Sequence, residues 1–153
     1  MGEILRKRIK QEQFASPHQE AFLSLLVAAD HLQRKFEVAC EKAGITAAQY
    51  NVLRILRGVH PDGHARCDII DRMLQQAPDV TRLIDRLEKS GLVKRGRSKD
   101  DGRLSLTYIT DKGLALVSSM QEELDRNNDD FATKLSPKEA QQLTTLCERL
   151  FAE

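Results

Sequence analysis

The sequence holds few of the residues that would staple, anchor or target it. Its three cysteines, Cys40, Cys67 and Cys147, are odd in number and far apart, with no C-x-x-C pair. A disulfide framework and a zinc-ribbon spacing are both excluded, and a reducing compartment is the expectation. The longest mostly apolar run, Phe22 to Ala29, is far short of the ~20 residues a bilayer needs. The opening MGEILRKRIK is charged and lacks an apolar h-region, so no signal peptide is expected, and Arg6 stands where a myristoylation signal needs Ser or Thr. There is no Gly-rich phosphate loop, no nucleophile set beside a base, no pair of acids on a rigid face, no repeat and no low-complexity segment. These absences predict a soluble, cytoplasmic protein that is not an enzyme, carries no cofactor and contacts no membrane.

What is present is one domain's worth of chain, 153 residues at 41% hydrophobic and 31% charged, too apolar for disorder and too charged for a membrane. Lys and Arg number 24 against 23 Asp and Glu, a net charge of +1. Taken whole, that neutrality speaks against nucleic acid, whose partners are usually strongly basic. The position of the charges decides otherwise.

Residues 1–15 carry four basic side chains and few anchors, which predicts a short or frayed helix. Ser16 and Pro17 then open a long helix as N-cap and first helical residue. Phe22, Leu25, Leu26, Ala29, Leu32, Phe36, Ala39 and Cys40 recur at spacings of three and four along it, one apolar stripe that runs to the stop at Gly44. Thr46 and Gln49 form a capping box for a second helix, with Val52, Leu53 and Leu56 inward and an end at Gly58. His60-Pro-Asp-Gly-His64 reads as a loop. Ile69, Ile70 and Met73 mark a short third helix. Pro78 sits at the first position of a fourth, with Val80, Leu83, Ile84 and Leu87 inward and Gly91-Leu92 as a C-terminal cap.

The period then changes to two. Leu104, Leu106 and Tyr108 alternate with Ser105, Thr107 and Ile109, a strand whose antiparallel partner is Val93–Arg97, and Ser98 to Arg103 make the tip of the hairpin. Thr110 caps a fifth helix with Leu116, Val117, Met120, Leu124 and Phe131 inward. Ser136-Pro-Lys-Glu139 opens a sixth with Leu143, Leu146, Leu150 and Phe151. This order predicts a mainly α fold: a winged helix-turn-helix, with a three-helix core and a two-stranded β wing, flanked by long N- and C-terminal dimerisation helices. Within one chain-wide domain, residues 1–45 form the N-terminal dimerisation arm, 46–110 the DNA-binding lobe and 111–153 the C-terminal dimerisation helices.

From Arg82 to Arg103, eight basic residues face four acidic ones, a local excess of four that leaves −3 for the rest of the chain. Residues 122–130 alone carry −4. The molecule has a basic end and an acidic end, and phosphate contact needs only the former, because salt limits each charge to about 8–10 Å. The residues opposite the apolar stripe of the fourth helix are set to enter a major groove: Pro78, Asp79, Thr81, Arg82, Asp85 and Arg86. An arginine there can chelate guanine O6 and N7, and Thr81 can touch a base edge or a thymine methyl. Lys89, Arg95, Arg97, Ser98, Lys99, Asp101 and Arg103 are the wing and backbone set, the arginines of the tip being suited to a narrowed minor groove. Asp101 is expected to bond the tip or its arginine instead of DNA.

The run Val80-Thr-Arg-Leu-Ile-Asp-Arg-Leu-Glu-Lys-Ser-Gly-Leu-Val-Lys-Arg95, with Asp101-Gly-Arg103 and Leu106-Thr-Tyr-Ile-Thr-Asp-Lys-Gly113, resembles the MarR family of bacterial transcriptional regulators. The D-x-R of the wing, followed seven residues on by Thr-x-x-Gly, is its most specific part, and the likeness runs from about residue 20 to the end. The resemblance implies a homodimer on a pseudo-palindromic operator, usually a repressor. In many members a small aromatic or phenolic effector between the DNA-binding lobe and the dimer helices weakens binding, and others respond to thiol oxidation or to a metal. The reading from another class is a winged-helix protein-interaction module that ignores DNA, and the basic wing tip argues against it.

His31, beside the stripe of the first long helix, and Tyr50, near the start of the second, are the candidate pocket residues, each with local bonding or packing as the plainer role. His60, His64 and Cys67 have the spacing H-x₃-H-x₂-C, but two of them lie in a Gly/Pro loop and no fourth ligand is fixed, so no metal site is expected. Cys40 on the apolar stripe reads as a packed thiol, and Cys147 as packed or set at a dimer interface.

Overall fold

In the computed structural model, residues 2–77 and 79–152 are described, and the chain divides into two compact units at Val38–Ala39. In the first, α1 (Glu3–Ile9) lies against the long α2 (Pro17–Lys42). Leu5 is buried between them, Arg8 reaches Asp30 at 3.7 Å, and the Arg6 guanidinium sits 5.8 Å from the Phe14 ring centre. Helix α2 starts where the sequence predicts, with the Ser16 hydroxyl accepting from the Gln19 amide. Its apolar stripe is present but largely uncovered: Ala39 and Cys40 are buried, whereas Phe22 is 61% exposed and Leu26 and Leu32 are also exposed.

The second unit holds the three short helices α3 (Ala47–Gly58), α4 (Arg66–Asp71) and α5 (Val80–Lys89), then β1 (Val93–Arg97), β2 (Ser105–Ile109), α6 (Asp111–Ser119), α7 (Gln121–Ala132) and α8 (Pro137–Phe151). Pro78, the expected first residue of α5, lies outside the described residues. Both predicted capping boxes form: Thr46 and Gln49 exchange side-chain-to-amide bonds of 3.1 and 2.9 Å, and Ser136 pairs with Glu139 in the same way. The core centres on α3, whose Val52, Leu53 and Leu56 are inaccessible to solvent, together with Ile69, Ile84, Leu87, Val93 and Val117. On α4 only Ile69 points inward. Ile70 is exposed, and Met73 falls beyond the helix.

The exit from α5 turns on Gly91 at φ +72°. Its amide bonds the Glu88 carbonyl and the Leu92 amide bonds the Leu87 carbonyl, the paired closure of a Schellman cap, with Leu92 packed inward beside Leu87. A β-branched or larger residue would resist that left-handed backbone, which glycine adopts freely. The hairpin follows at once, in the register Val93↔Ile109, Arg95↔Thr107 and Arg97↔Ser105.

Three features go beyond the sequence reading. First, the buried face of β2 is that of Thr107 and Ile109, a choice the alternation leaves open, while Leu104 is exposed and Leu106 and Tyr108 are half-buried. Alternation reveals that two faces exist, and only the register onto Val93 decides which is covered. Second, the loop after α3 is not wholly irregular, because His64 exchanges two backbone bonds with Thr107, at 3.0 and 2.8 Å, and adds a short rung to the wing. Third, the single helix expected from Thr110 to Phe131 is two, α6 and α7. The Ser119 hydroxyl donates to the Leu116 carbonyl at 2.7 Å, and the Met120 amide is shared between the Leu116 and Val117 carbonyls at 3.3 Å each, which interrupts the regular ladder. Leu124 and Phe131 are half-buried, and no residue of α8 is buried.

Candidate nucleic-acid interface

Helix α5 is short, strongly two-sided and firmly capped. The Asp79 carboxylate accepts from the Arg82 amide at 2.9 Å, filling one of the four donors that a helix start leaves open. Val80, Ile84 and Leu87 pin the inner face, and Thr81, Arg82, Arg86 and Lys89 stand exposed on the outer one. Among the described residues no side-chain partner is found for Arg82, Arg86 or Lys89. Thr81 accepts at 3.2 Å from the guanidinium of Arg66, the first residue of α4. That places a further exposed cation next to the start of α5, where the first helix of a helix-turn-helix crosses a DNA backbone. The charge pattern of the sequence does not single out Arg66. Its signal was there, a basic residue opening the helix that precedes the turn, but outside the charged window.

Asp85 and Glu88 are one turn apart on α5, and both are held by Arg95 of β1. Nη2 of Arg95 bonds Asp85, Nη1 bonds Glu88 at 2.6 Å, and the Arg95 amide bonds the other Glu88 oxygen at 3.0 Å. Donation to Asp85, then to Glu88, keeps the guanidinium charged more firmly than usual. Asp79 and Asp85, both expected at the major groove, therefore have protein partners, as does Arg95.

The wing tip is wired to itself. The Ser98 hydroxyl accepts from the Asp100 and Asp101 amides, Asp101 accepts from the Arg103 amide at 2.9 Å, and Arg97 donates to the Gly102 carbonyl at 2.8 Å. Asp101 thus bonds the tip, as expected from sequence. Among the described residues, the side chains of Lys99 and Arg103 are left without a partner, and both are exposed. Gly96 allows the Tyr108 ring to lie across the sheet: a Cβ there would come 3.2 Å from it.

His31 and Tyr50 lie in different units. His31 lines an open cleft of about 740 Å³ within the first unit, together with Leu5, Arg8, Ser24 and Val27. Tyr50 is buried in the second, and burial raises its phenol above the ordinary value. Among the described residues, no three His, Cys, Asp or Glu side chains gather where they could hold a metal ion, and no helix is long and apolar enough to cross a membrane. Cys67 is exposed and Cys40 buried.

Residues 43–104, which span the three short helices and most of the wing, match the model of the MarR family. The crystal structure of a MarR transcription factor from Planctomyces limnophilus is similar at 38% identity, with a TM-score of 0.67, over 89% of this chain and 98% of that one. The homoprotocatechuate degradative operon repressor of Escherichia coli is 26% identical over 136 residues, 88% of this chain and 90% of its own length. Staphylococcus aureus MepR, in its DNA complex, shares the fold with a TM-score of 0.74 at 22% identity, over 92% of this chain and 98% of that one.

Proposed function

This chain belongs to the MarR family of transcriptional regulators, a DNA-binding winged-helix protein and not an enzyme, and on that premise we propose that it acts in the cytoplasm as a homodimeric repressor on a pseudo-palindromic operator. One observation carries the reading furthest: among the described residues, cations with no side-chain partner, including Arg82, Arg86 and Lys89 on α5 and Lys99 and Arg103 on the wing, stand on the two elements that a winged helix offers to DNA. Helix α5 enters the major groove with Thr81 and Arg82 toward the bases, while Arg103 enters the flanking minor groove and Arg66, Lys89 and Lys99 meet phosphates. Asp79 serves as the helix cap.

Dimer formation is supported by uncovered apolar surface at both ends of the chain. Phe22 and Leu26 on α2 are exposed, as are Leu146, Leu150 and Phe151 on α8, with Phe151 at 73%. Surface of that kind marks an interface in a soluble protein. A two-fold dimer would set its recognition helices about 34 Å apart, one turn of DNA, on a site of roughly 16–20 base pairs. A small aromatic or phenolic acid is the proposed effector, supported by the resemblance of the chain to a repressor of an aromatic-degradation operon. The cleft holding Arg8 and His31 offers such an acid two basic groups beside apolar walls.

The test is a gel shift on DNA from upstream of the chain's own gene, titrated with salt. With about 10 phosphates neutralised, log K falls with log[salt] at a slope near −9. Arg82→Ala relaxes sequence preference, and Lys99→Ala weakens all duplexes alike. Equal loss on operator and random DNA for Arg82→Ala removes it from base readout. No binding to any duplex overturns the reading in favour of a protein-interaction module. Phenolic acids, metals and peroxide, screened for release of the operator, separate the effector classes.

A further inference from the structure

The arrangement of Arg95 is costly to explain as a DNA contact. Its guanidinium is forked between two carboxylates, and its amide is taken by one of them. The backbone geometry makes this possible. Arg95 stands opposite Thr107 in the hairpin, yet the Thr107 amide and carbonyl bond His64 instead of Arg95. The pair is therefore one of the non-hydrogen-bonded pairs of an antiparallel ladder, and its peptide groups point away from the partner strand. On the outer edge of β1 the Arg95 amide meets the Glu88 carboxylate, and that carboxylate also reaches the Arg95 side chain. Asp85, three residues earlier on the same face of α5, holds the other nitrogen.

We infer that Arg95 is a positioning residue that latches the wing to the recognition helix through Asp85 and Glu88, and that this latch sets the distance between major-groove and minor-groove reading. The lever explains why a latch matters. From Val93 to Lys99 the hairpin extends roughly 20 Å at 3.3 Å per residue, while its base is joined to α5 by a turn through Gly91. A few degrees of rotation at that base move the tip by about 1–2 Å, enough to break contacts that need hydrogen-bond distance. Leu92 and Val93 pack the base into the core, the His64 rung holds the β2 edge, and the Arg95 fork is the polar tie from β1 to α5.

The inference rests on the DNA-binding reading above, and its test turns on a sign. Removing acids from a DNA-binding face strengthens binding if they act only through charge. A latch predicts the reverse. Operator duplexes are first selected from a randomised pool by the unaltered protein, and a failure of that protein to prefer any sequence defeats the DNA-binding reading itself. With an operator in hand, the double variant Asp85→Asn, Glu88→Gln is expected to lose about tenfold in operator affinity, a coupling of ordinary size for a shared network, while its affinity for random duplex rises. Hydroxyl-radical protection at the minor-groove flank fades, and the central protection remains. Arg95→Lys keeps the charge but not the fork, and is expected to show the same selective loss with an unchanged salt slope. The inference is overturned if the double variant tightens on operator and random DNA alike, or if Arg95→Lys binds the operator as the unaltered protein does. Should the double variant fail to fold by circular dichroism, the Arg95→Lys result decides.

Discussion

Replacing Gly113 by alanine is predicted to destabilise the protein, against the helix scale. Gly113 is the third residue of α6, and its amide donates to the Thr110 cap at 3.1 Å. Propensity alone favours alanine by up to about 1 kcal/mol in a helix. The space is already taken: a Cβ would lie 2.3 Å from the Leu92 carbonyl oxygen and 2.7 Å from Cγ1 of Ile109. Neither can step aside. Leu92 belongs to the cap of α5, its carbonyl accepts from the Thr110 amide at 3.1 Å, and Ile109 is buried at the end of β2. Restoring ordinary contact moves α6 by about 1 Å from the base of the wing, a shift in the overpacking range of roughly 1–3 kcal/mol and near its top because backbone is displaced. Subtracting the propensity gain leaves a net loss of about 2 kcal/mol, or some 4–8 °C in Tm for a chain of this length. Urea denaturation and thermal melts at one fixed protein concentration measure it, since dimerisation makes both concentration-dependent. Gly58→Ala is the matched control, at the end of α3 with nothing within 4 Å of the new Cβ, and is expected to gain a few tenths of a kcal/mol. A Gly113→Ala protein as stable as the unaltered one, or moving upward with the control, refutes the packing argument.

Three further outcomes follow from individual contacts. Asp79→Ala removes the cap of α5 and should lower stability by about 1 kcal/mol, whereas Asp79→Ser, which can still accept the Arg82 amide, should recover most of it; equal loss for both in thermal melts would assign Asp79 another role. The Glu123 carboxyl is held below its ordinary value, chiefly by the 2.7 Å bond from Lys42. Its contribution is therefore present above the unfolded carboxylate pKa and fades as pH falls through the lowered folded value, so Glu123→Gln should flatten the acid limb of a stability-against-pH curve, and added salt should do the same to the unaltered protein. Leu146→Glu with Leu150→Glu places charge on the exposed face of α8 and should yield a monomer by sedimentation that binds half-sites only; an unchanged dimer would locate the interface elsewhere.

What was legible in the sequence is what closes within a few residues. The caps at Ser16, Thr46, Thr110 and Ser136 each bond an amide three positions ahead, and the glycine stop after α5 closes within six, so residue identity and spacing suffice to find them. The tip bond of Asp101 to the Arg103 amide is local in the same sense. The features that were missed depend on which distant backbone groups are occupied. Thr107 is buried, polar as it is, because His64 satisfies its peptide groups from a segment some forty residues earlier, and nothing in the alternation of β2 records that partner. The break at Met120 comes from a serine hydroxyl turning back onto its own helix, one of several conformations a serine can adopt.

The charge of the interface is the case where sequence and structure agree on the number and differ on its meaning. Eight basic and four acidic residues lie between Arg82 and Arg103, and folding changes neither count. Arg95, Asp85 and Glu88 are tied to one another, however, and Asp101 is turned onto the Arg103 amide. The two acids on α5 are engaged by a cation from the neighbouring strand. Among the described residues, Arg82, Arg86, Lys89, Lys99 and Arg103 carry no such tie. A sum over the window weighs all twelve charges alike, but a phosphate within about 8–10 Å responds to the ones left unpaired. The same three tied residues are those whose removal should widen the gap between affinity and specificity, because they hold the two reading elements in register without contributing to the attraction itself.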